Sequence, residues 1–147
     1  AKYHLGGQLI TVPLTGPERG TQREEEILEE FRQNAQRGLK LLEESAAAGN
    51  ARAASLLGVV YSKGMSIIGI QPDIELAVKY HATAWETGKL RTEPYTIYKL
   101  LKDSDPALAF AWLRVAADEA DDTEAQMQLA SILKDHSVPT DSMVSHW

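Results

Sequence analysis

The stretch GNARAASLLGVVYSKGMSIIGIQPDIELAVKYHATAWETG, residues 49–88, contains two helix patterns joined by an unusually apolar connection. Residues 50–63 carry apolar side chains at three- and four-residue steps, and Gly64 is the residue type that commonly ends a helix. Pro72 and Asp73 then supply an acidic N-cap for a second amphipathic segment, which Gly88 closes. The stretch therefore predicts a pair of helices with residues 64–72 between them.

The same pattern recurs further along the chain. DIELAVKYHATAWETG (73–88) aligns with DPALAFAWLRVAADEA (105–120), so that the aspartates, the small residues and the large aromatic residues coincide. GNARAASLLGVVY (49–61) aligns in the same way with DDTEAQMQLASIL (121–133). Helix pairs that recur roughly every 36 residues are typical of a solenoid, in which each pair packs only on its neighbours. The sequence predicts an all-α fold, a short α-solenoid of antiparallel helix pairs.

The chain of 147 residues has the length of a single domain. Its first 20 residues contain a Gly-Gly pair, two prolines and apolar residues without helical period, which indicates a non-helical arm whose Leu9, Ile10, Val12 and Leu14 pack on the rest. The predicted divisions are an extended arm (1–20), a long capping helix opened by Thr21 (21–49), repeat one (50–88), a degenerate repeat two (89–120), a terminal helix (121–134) and a non-helical tail (135–147).

The repeat resembles the Sel-one-like repeat, which is related to the tetratricopeptide repeat. The resemblance is best over residues 46–88 and weaker over 89–120, where the Leu-Gly pair of the first helix is missing. The residues that match that family's pattern are Ala48, Gly49, Ala53, Leu57, Gly58, Tyr61, Gly64, Gly69, Ile70, Asp73, Ala77, Tyr80, Ala84 and Gly88. The resemblance implies a tetratricopeptide-like α-solenoid that binds proteins.

Against that family, MSII at residues 65–68 is an insertion of about three residues in the connection between helices. Two interpretations remain open. Ile67 and Ile68 either pack under the arm or against the long helix as local core, or they form an exposed apolar contact for a partner.

Composition excludes several classes of function. The formal net charge of -6 argues against nucleic-acid or anionic-membrane partners, since both select basic surfaces. The chain contains no cysteine, which excludes disulfides and thiol chemistry, and no apolar run has the length of a membrane span. A chain that begins at Ala1 is compatible with removal of a signal peptide or a tag, and we favour a periplasmic over a cytoplasmic location.

The sequence contains no recognisable catalytic, cofactor or metal motif, and we predict that the protein is not an enzyme. His81 lies on an apolar helix face and is predicted to be a semi-buried histidine with its hydrogen bonds satisfied. His136, Asp141 and His146 would form a metal site only if the tail folded on itself. A carboxylate-dependent hydrolase is the rival from another class, and it would require two acidic residues that converge in a cleft.

A solenoid presents a curved surface formed by the first helix of each pair, and this surface is the predicted binding site for a protein partner. Tyrosine and arginine are frequent in such interfaces, although Tyr95 and Tyr98 could equally pack between repeats. The predicted partner-binding residues are Met65, Ile67, Ile68, Ile70, Arg52, Val59, Arg91, Tyr95 and Tyr98.

The resemblance implies two bacterial roles for a small protein of this kind. One is an immunity protein that binds and blocks a toxic effector, for example a secreted phospholipase. The other is an adaptor in an envelope or signalling assembly. A third possibility is a structural fragment of a longer repeat array. Neither the oligomeric state nor the identity of the partner follows from the sequence.

Overall fold

The computed structural model describes the backbone of residues 16–135 and the side chains of residues 20–135. Predictions for residues 1–15 and 136–147 lie outside this range, including the apolar contacts of the arm, the tail and the His136–His146 metal site. Six α-helices fill the described range: α1 (Gly16–Ala47), α2 (Ala51–Lys63), α3 (Ile74–Gly88), α4 (Glu93–Leu101), α5 (Pro106–Asp118) and α6 (Thr123–Asp135). A short 3₁₀ helix, Ser66–Ile68, lies between α2 and α3. The predicted all-α solenoid is confirmed.

At the start of four helices, a side-chain oxygen accepts a hydrogen bond from a backbone N–H of the first turn. The oxygens of Asn50, Asp73, Asp105 and Asp122 each accept from the backbone N–H three residues later, at 3.0–3.2 Å. This arrangement satisfies a backbone donor that a helix leaves without an intrahelical partner. The cap at Asp73 was predicted from sequence and is confirmed, and Asp105, which aligns with Asp73 in the repeat, caps its helix in the same way.

Helix α1 differs from its prediction at its start. It begins at Gly16, so residues 16–20 are helical rather than part of an extended arm, and Thr21 lies inside the helix instead of capping it. It continues through Gly38 without a break. With 32 residues, α1 is more than twice as long as α2, so its N-terminal half extends past the pair of helices behind it.

Helices α2 and α3 form the tightest pair, because two glycines let them approach closely. A Cβ on Gly88 would lie 2.5 Å from the Cβ of Ala51, where the end of α3 meets the start of α2. A Cβ on Gly58 would lie at the same distance from the ring of His81. The small residues of the repeat therefore set the distance between the two helices.

The largest group of buried apolar residues joins α4, α5 and α6. Its most enclosed members are Ile97, Leu113 and Ala116, all without solvent exposure, and Ile74 and Val78 of α3 pack against it. Each helix therefore contacts the next along the chain, as a solenoid requires. Within residues 16–135, none of the helices combines the length and the apolar character that crossing a membrane would take.

Candidate protein-binding surface

The apolar connection between α2 and α3 is a hydrogen-bonded turn. The backbone N–H of Met65 donates to the Ile70 carbonyl at 2.8 Å, and the N–H of Ile70 donates back to the Met65 carbonyl at 3.0 Å. Gly69 takes the left-handed conformation that closes the 3₁₀ helix. The Arg32 side chain of α1 donates to the Ile67 carbonyl at 3.2 Å. The connection is thus held in one shape and attached to α1.

Its four apolar side chains, Met65, Ile67, Ile68 and Ile70, are all half-buried. The connection packs against α1, as the local-core interpretation predicted for the side of the connection that faces this helix. The arm that was the other predicted cover lies outside the described residues. The exposed part of each side chain stays accessible, so a contact with a partner remains a proposal.

Helix α2 presents a mixed apolar and basic face. Arg52 and Val59 are both exposed, as their predicted role requires. Leu56 lies on the same face, at four and three residues from these positions, and it is 53% exposed. Leu56 was not among the predicted partner contacts. It precedes Leu57, which is fully buried, and the periodic apolar pattern does not single out the exposed one of two adjacent leucines.

The predicted contacts in and near α4 divide into different environments. Tyr98 is 8% exposed and belongs to the core, so we remove it from the candidate partner contacts. Tyr95 is half-buried and stacks on Tyr98 with ring centroids 5.7 Å apart. Burial first, and then the negative charge of Glu124, raise the pKa of Tyr95.

Arg91 is held by the chain itself. Its guanidinium donates to the backbone carbonyl of Ala120 at 2.9 Å and to that of Asp121 at 2.8 Å. These carbonyls follow the end of α5, where backbone acceptors lack helical partners. The geometry gives Arg91 a structural role at the junction of two repeats, which the sequence pattern did not reveal.

The structure brings the remaining candidates, except Tyr95, together in two places. Ser55 of α2 donates to the Glu93 carboxylate of α4 at 2.9 Å, so the faces of these two helices are neighbours. Arg52 and Val59 flank Ser55 on α2, and we call their surface with Leu56, beside the start of α4, the α2–α4 face. Tyr95 lies outside it, on the side of α4 next to Tyr98 and Glu124. Met65–Ile70 forms a second patch beyond the end of α2, next to α1.

A buried polar cluster lies beneath the α2–α4 face. His81 and Glu93 are 2% and 4% exposed, and His81 Nδ1 lies 2.5 Å from Glu93 Oε1. His81 was predicted to be semi-buried; it is fully buried, and Glu93, the hydrogen-bond partner of its Nδ1, was missed. A Ser-His-Glu set suggests hydrolysis at first sight, but the Ser55 hydroxyl donates to the carboxylate rather than to the imidazole, so no activated nucleophile results.

A shallow cavity of about 380 Å³ lies beside the end of α5. It is lined by Trp85, Lys89 and Arg91 among others, and the Lys89 ammonium lies 4.6 Å from the Trp85 ring centroid. Among residues 20–135, His, Asp and Glu side chains nowhere gather into a group of three that could hold a metal ion. The buried carboxylate in this range, Glu93, has a histidine and hydroxyl groups as partners rather than a second carboxylate.

Comparison with protein-family models matches the Sel1 repeat to residues 30–50, 51–84 and 100–121, about half of the chain. This chain belongs to the Sel1 repeat family. The match over 51–84 contains α2 and most of α3, and the match over 100–121 contains α5. Sel1 repeats generally mediate protein–protein interaction and generally lack enzymatic activity. No curated protein and no solved structure matches the chain significantly.

The first Sel1 match refines the predicted organisation. Residues 30–49 were predicted to belong to a capping helix, but the Sel1 match at 30–50 includes them, and the C-terminal half of α1 packs on α2 as a member of the stack. The N-terminal part of α1 precedes the match. The helix thus combines a repeat segment with an extension of its own.

Proposed function

We propose that this Sel1 repeat protein is a non-enzymatic module that binds one protein partner through the α2–α4 face and the Met65–Ile70 patch. The observation that carries the proposal is the exposure of Leu56 and Val59 on α2, at 53% and 40%. Helices that pair within a stack normally bury their apolar side chains against the neighbouring helices. In α2, Leu57 and Ala53 already fill this buried face. Exposed apolar side chains beside Arg52 have the composition of an interface.

The finer proposal is that the partner is a toxic effector enzyme and that this chain is its immunity protein. Blocking an active site requires a rigid surface of suitable shape and needs no chemistry from the blocker. The hydrogen-bonded turn at Met65–Ile70, attached to α1 through Arg32, supports such a rigid contact. A secreted phospholipase is an example of the enzyme class.

An adaptor is the alternative, and one observation favours it. The α2–α4 face runs along α2, whereas the Met65–Ile70 patch lies beyond the C-terminal end of α2, next to α1. Two separate patches would let the chain hold two proteins at once, as an adaptor in an envelope or signalling assembly does. An immunity protein would instead use both patches on one effector.

The test is capture of partners from the source organism with the purified chain, followed by assay of any captured enzyme. Three variants are compared with the natural chain: Arg52→Glu with Val59→Asp, Ile67→Asp with Ile68→Asp, and Leu108→Asp as a control on the exposed side of α5. We expect the first two to lose the partner and the third to retain it. The Ile67/Ile68 variant should also melt at a somewhat lower temperature, because its side chains are half-buried.

The outcomes separate the two roles. One stoichiometric enzyme whose activity falls on binding identifies an immunity protein. Several weakly held proteins, each lost with only one of the two variants, identify an adaptor. Equal capture by all variants would contradict the proposed surface.

A further inference from the structure

The N-terminal half of α1 is a helix without a packing partner among the described residues. Every residue from 20 to 31 is exposed, while half-buried positions begin at Arg32. At 1.5 Å per residue, the 32 residues of α1 span about 48 Å and the 13 residues of α2 about 20 Å. The extension therefore projects beyond the helix on which the rest of α1 packs.

The extension carries apolar side chains on one side. Ile27, Leu28 and Phe31 are 41%, 48% and 57% exposed, and they stand at the three- and four-residue steps that place them on one helix face. The same line continues through Ala35 and Leu42, which are half-buried. The stripe is thus covered where α1 belongs to the stack and open where it projects. An open stripe of this kind marks a contact surface.

The charges around the open stripe are acidic. Residues 20–31 contain five glutamates and one arginine. Glu24 precedes Ile27 and Leu28 by three and four residues, and Glu30 follows Ile27 by three, so both carboxylates border the stripe; the one arginine, Arg23, precedes Ile27 by four, and the border is negative on balance. Arg32, the next basic residue, is already bonded to Glu29 and to the Ile67 carbonyl. We call Ile27, Leu28 and Phe31 with Glu24 and Glu30 the α1 strip.

We infer that the α1 strip is a docking site for a basic amphipathic helix of a partner protein. Apolar residues of such a helix would cover Ile27, Leu28 and Phe31, while its lysines or arginines would face Glu24 and Glu30. A second copy of the chain fits poorly, because pairing two extensions would place glutamates against glutamates. Residues 1–15 would also match the negative charge of the strip poorly, because Lys2 is the only lysine or arginine among them.

The experiment measures binding of a fluorescent Lys/Leu peptide, about four helical turns long with leucines at three- and four-residue steps, by anisotropy. A Glu/Leu peptide of the same pattern is the charge control. We expect the Lys/Leu peptide to bind and the Glu/Leu peptide not to bind. Binding should weaken about tenfold in Leu28→Ser with Phe31→Ser, and about tenfold at low salt in Glu24→Gln with Glu30→Gln.

Matched variants remove the same groups elsewhere. Leu108→Ser with Met127→Ser removes two exposed apolar side chains, and Glu86→Gln with Glu119→Gln removes two exposed carboxylates. Both should bind the Lys/Leu peptide as the natural chain does. Equal weakening in the matched variants would overturn the inference, because binding would then follow overall composition.

Two further results would also overturn it. Binding that appears only after residues 1–15 are deleted would show that the chain covers its own strip. A natural chain that is dimeric by light scattering, with a monomeric Leu28→Ser/Phe31→Ser variant, would identify a second copy as the occupant. The α1 strip shares no residue with the α2–α4 face or the Met65–Ile70 patch, so failure here leaves the proposed function untouched.

Discussion

Gly58 shows how one position sets the geometry of a repeat. The imidazole of His81 lies directly over it, and a Cβ at this position would stand 2.5 Å from Cδ2 and Nε2 of the ring. The ring is unable to move away freely, because its Nδ1 is bonded to Glu93. Glu93 in turn accepts a hydrogen bond from Ser55, so the cluster joins α2, α3 and α4. Glycine at 58 is a condition for the buried polar cluster.

We therefore predict that Gly58→Ala destabilises the protein, although alanine normally favours a helix. Insertion of a methyl group into a packed site typically costs about 1–3 kcal/mol, more than the gain in helix propensity. Urea unfolding followed by circular dichroism measures the change in the free energy of unfolding.

Gly38→Ala is the matched control within α1. No atom lies within 4 Å of a Cβ built at that position, so the added methyl meets open space. Here alanine should raise the free energy of unfolding by up to about 1 kcal/mol, because glycine weakens a helix interior. If both substitutions changed stability in the same direction, the packing argument for Gly58 would be wrong.

At the scale of the element, the start of α4 is attached to the end of α5 by Arg91. Two backbone carbonyls beyond the last turn of α5 accept from its guanidinium. The pattern of apolar residues that predicted the helices contains no information on this contact, because Arg91 and Ala120 are 29 residues apart. A charged residue between two helices would ordinarily be interpreted as solvent-exposed or as a partner contact.

The Arg91→Ala variant distinguishes the two roles of this residue. We expect a loss of about 1 kcal/mol in the free energy of unfolding, less than is usual for bonds to a charged group because the side chain is exposed. Partner capture should be unchanged. Lys102→Ala removes another exposed cation near α4 and should leave the free energy of unfolding unchanged within experimental error. Lost capture with unchanged stability in Arg91→Ala would restore its predicted role at the interface.

For the whole molecule, the question is whether so few repeats unfold together. The core that includes Leu113 runs through α4, α5 and α6 and receives side chains from α3, while the His81–Glu93–Ser55 cluster connects it to α2. Each interface is local, yet the buried contacts form an unbroken chain from α2 to α6. Cooperative unfolding of this range is the expectation.

Leu113→Ala tests that cooperativity. The fully buried side chain belongs to α5, and its truncation should cost about 2–5 kcal/mol. Amide hydrogen exchange should then accelerate in α2 and α3 as well as in α5, because all of them open in one transition. Faster exchange confined to α5 and α6 would show that the repeats open independently.

The helix ends were predictable from sequence because they depend on local chemistry. Asp73 and Asp105 cap helices by accepting a bond from a backbone N–H three residues away, so the necessary information lies within one turn. The start of α1 was predicted wrongly for a related reason. Thr21 and the glutamates after it resemble an N-terminus, but the residues before Thr21 continue the helix from Gly16.

The sequence by itself determined the repeat, the helix pairs and the placement of the histidine on an apolar face, because periodic small and apolar residues indicate which face of each helix is buried. Only the tertiary structure decided which of two adjacent leucines is exposed, that Tyr98 lies in the core and that Glu93 is buried beside His81. The physical reason is that burial depends on what lies opposite a side chain. Opposite residues such as Ser55 and Glu93 are 38 positions apart, beyond the range of any local pattern.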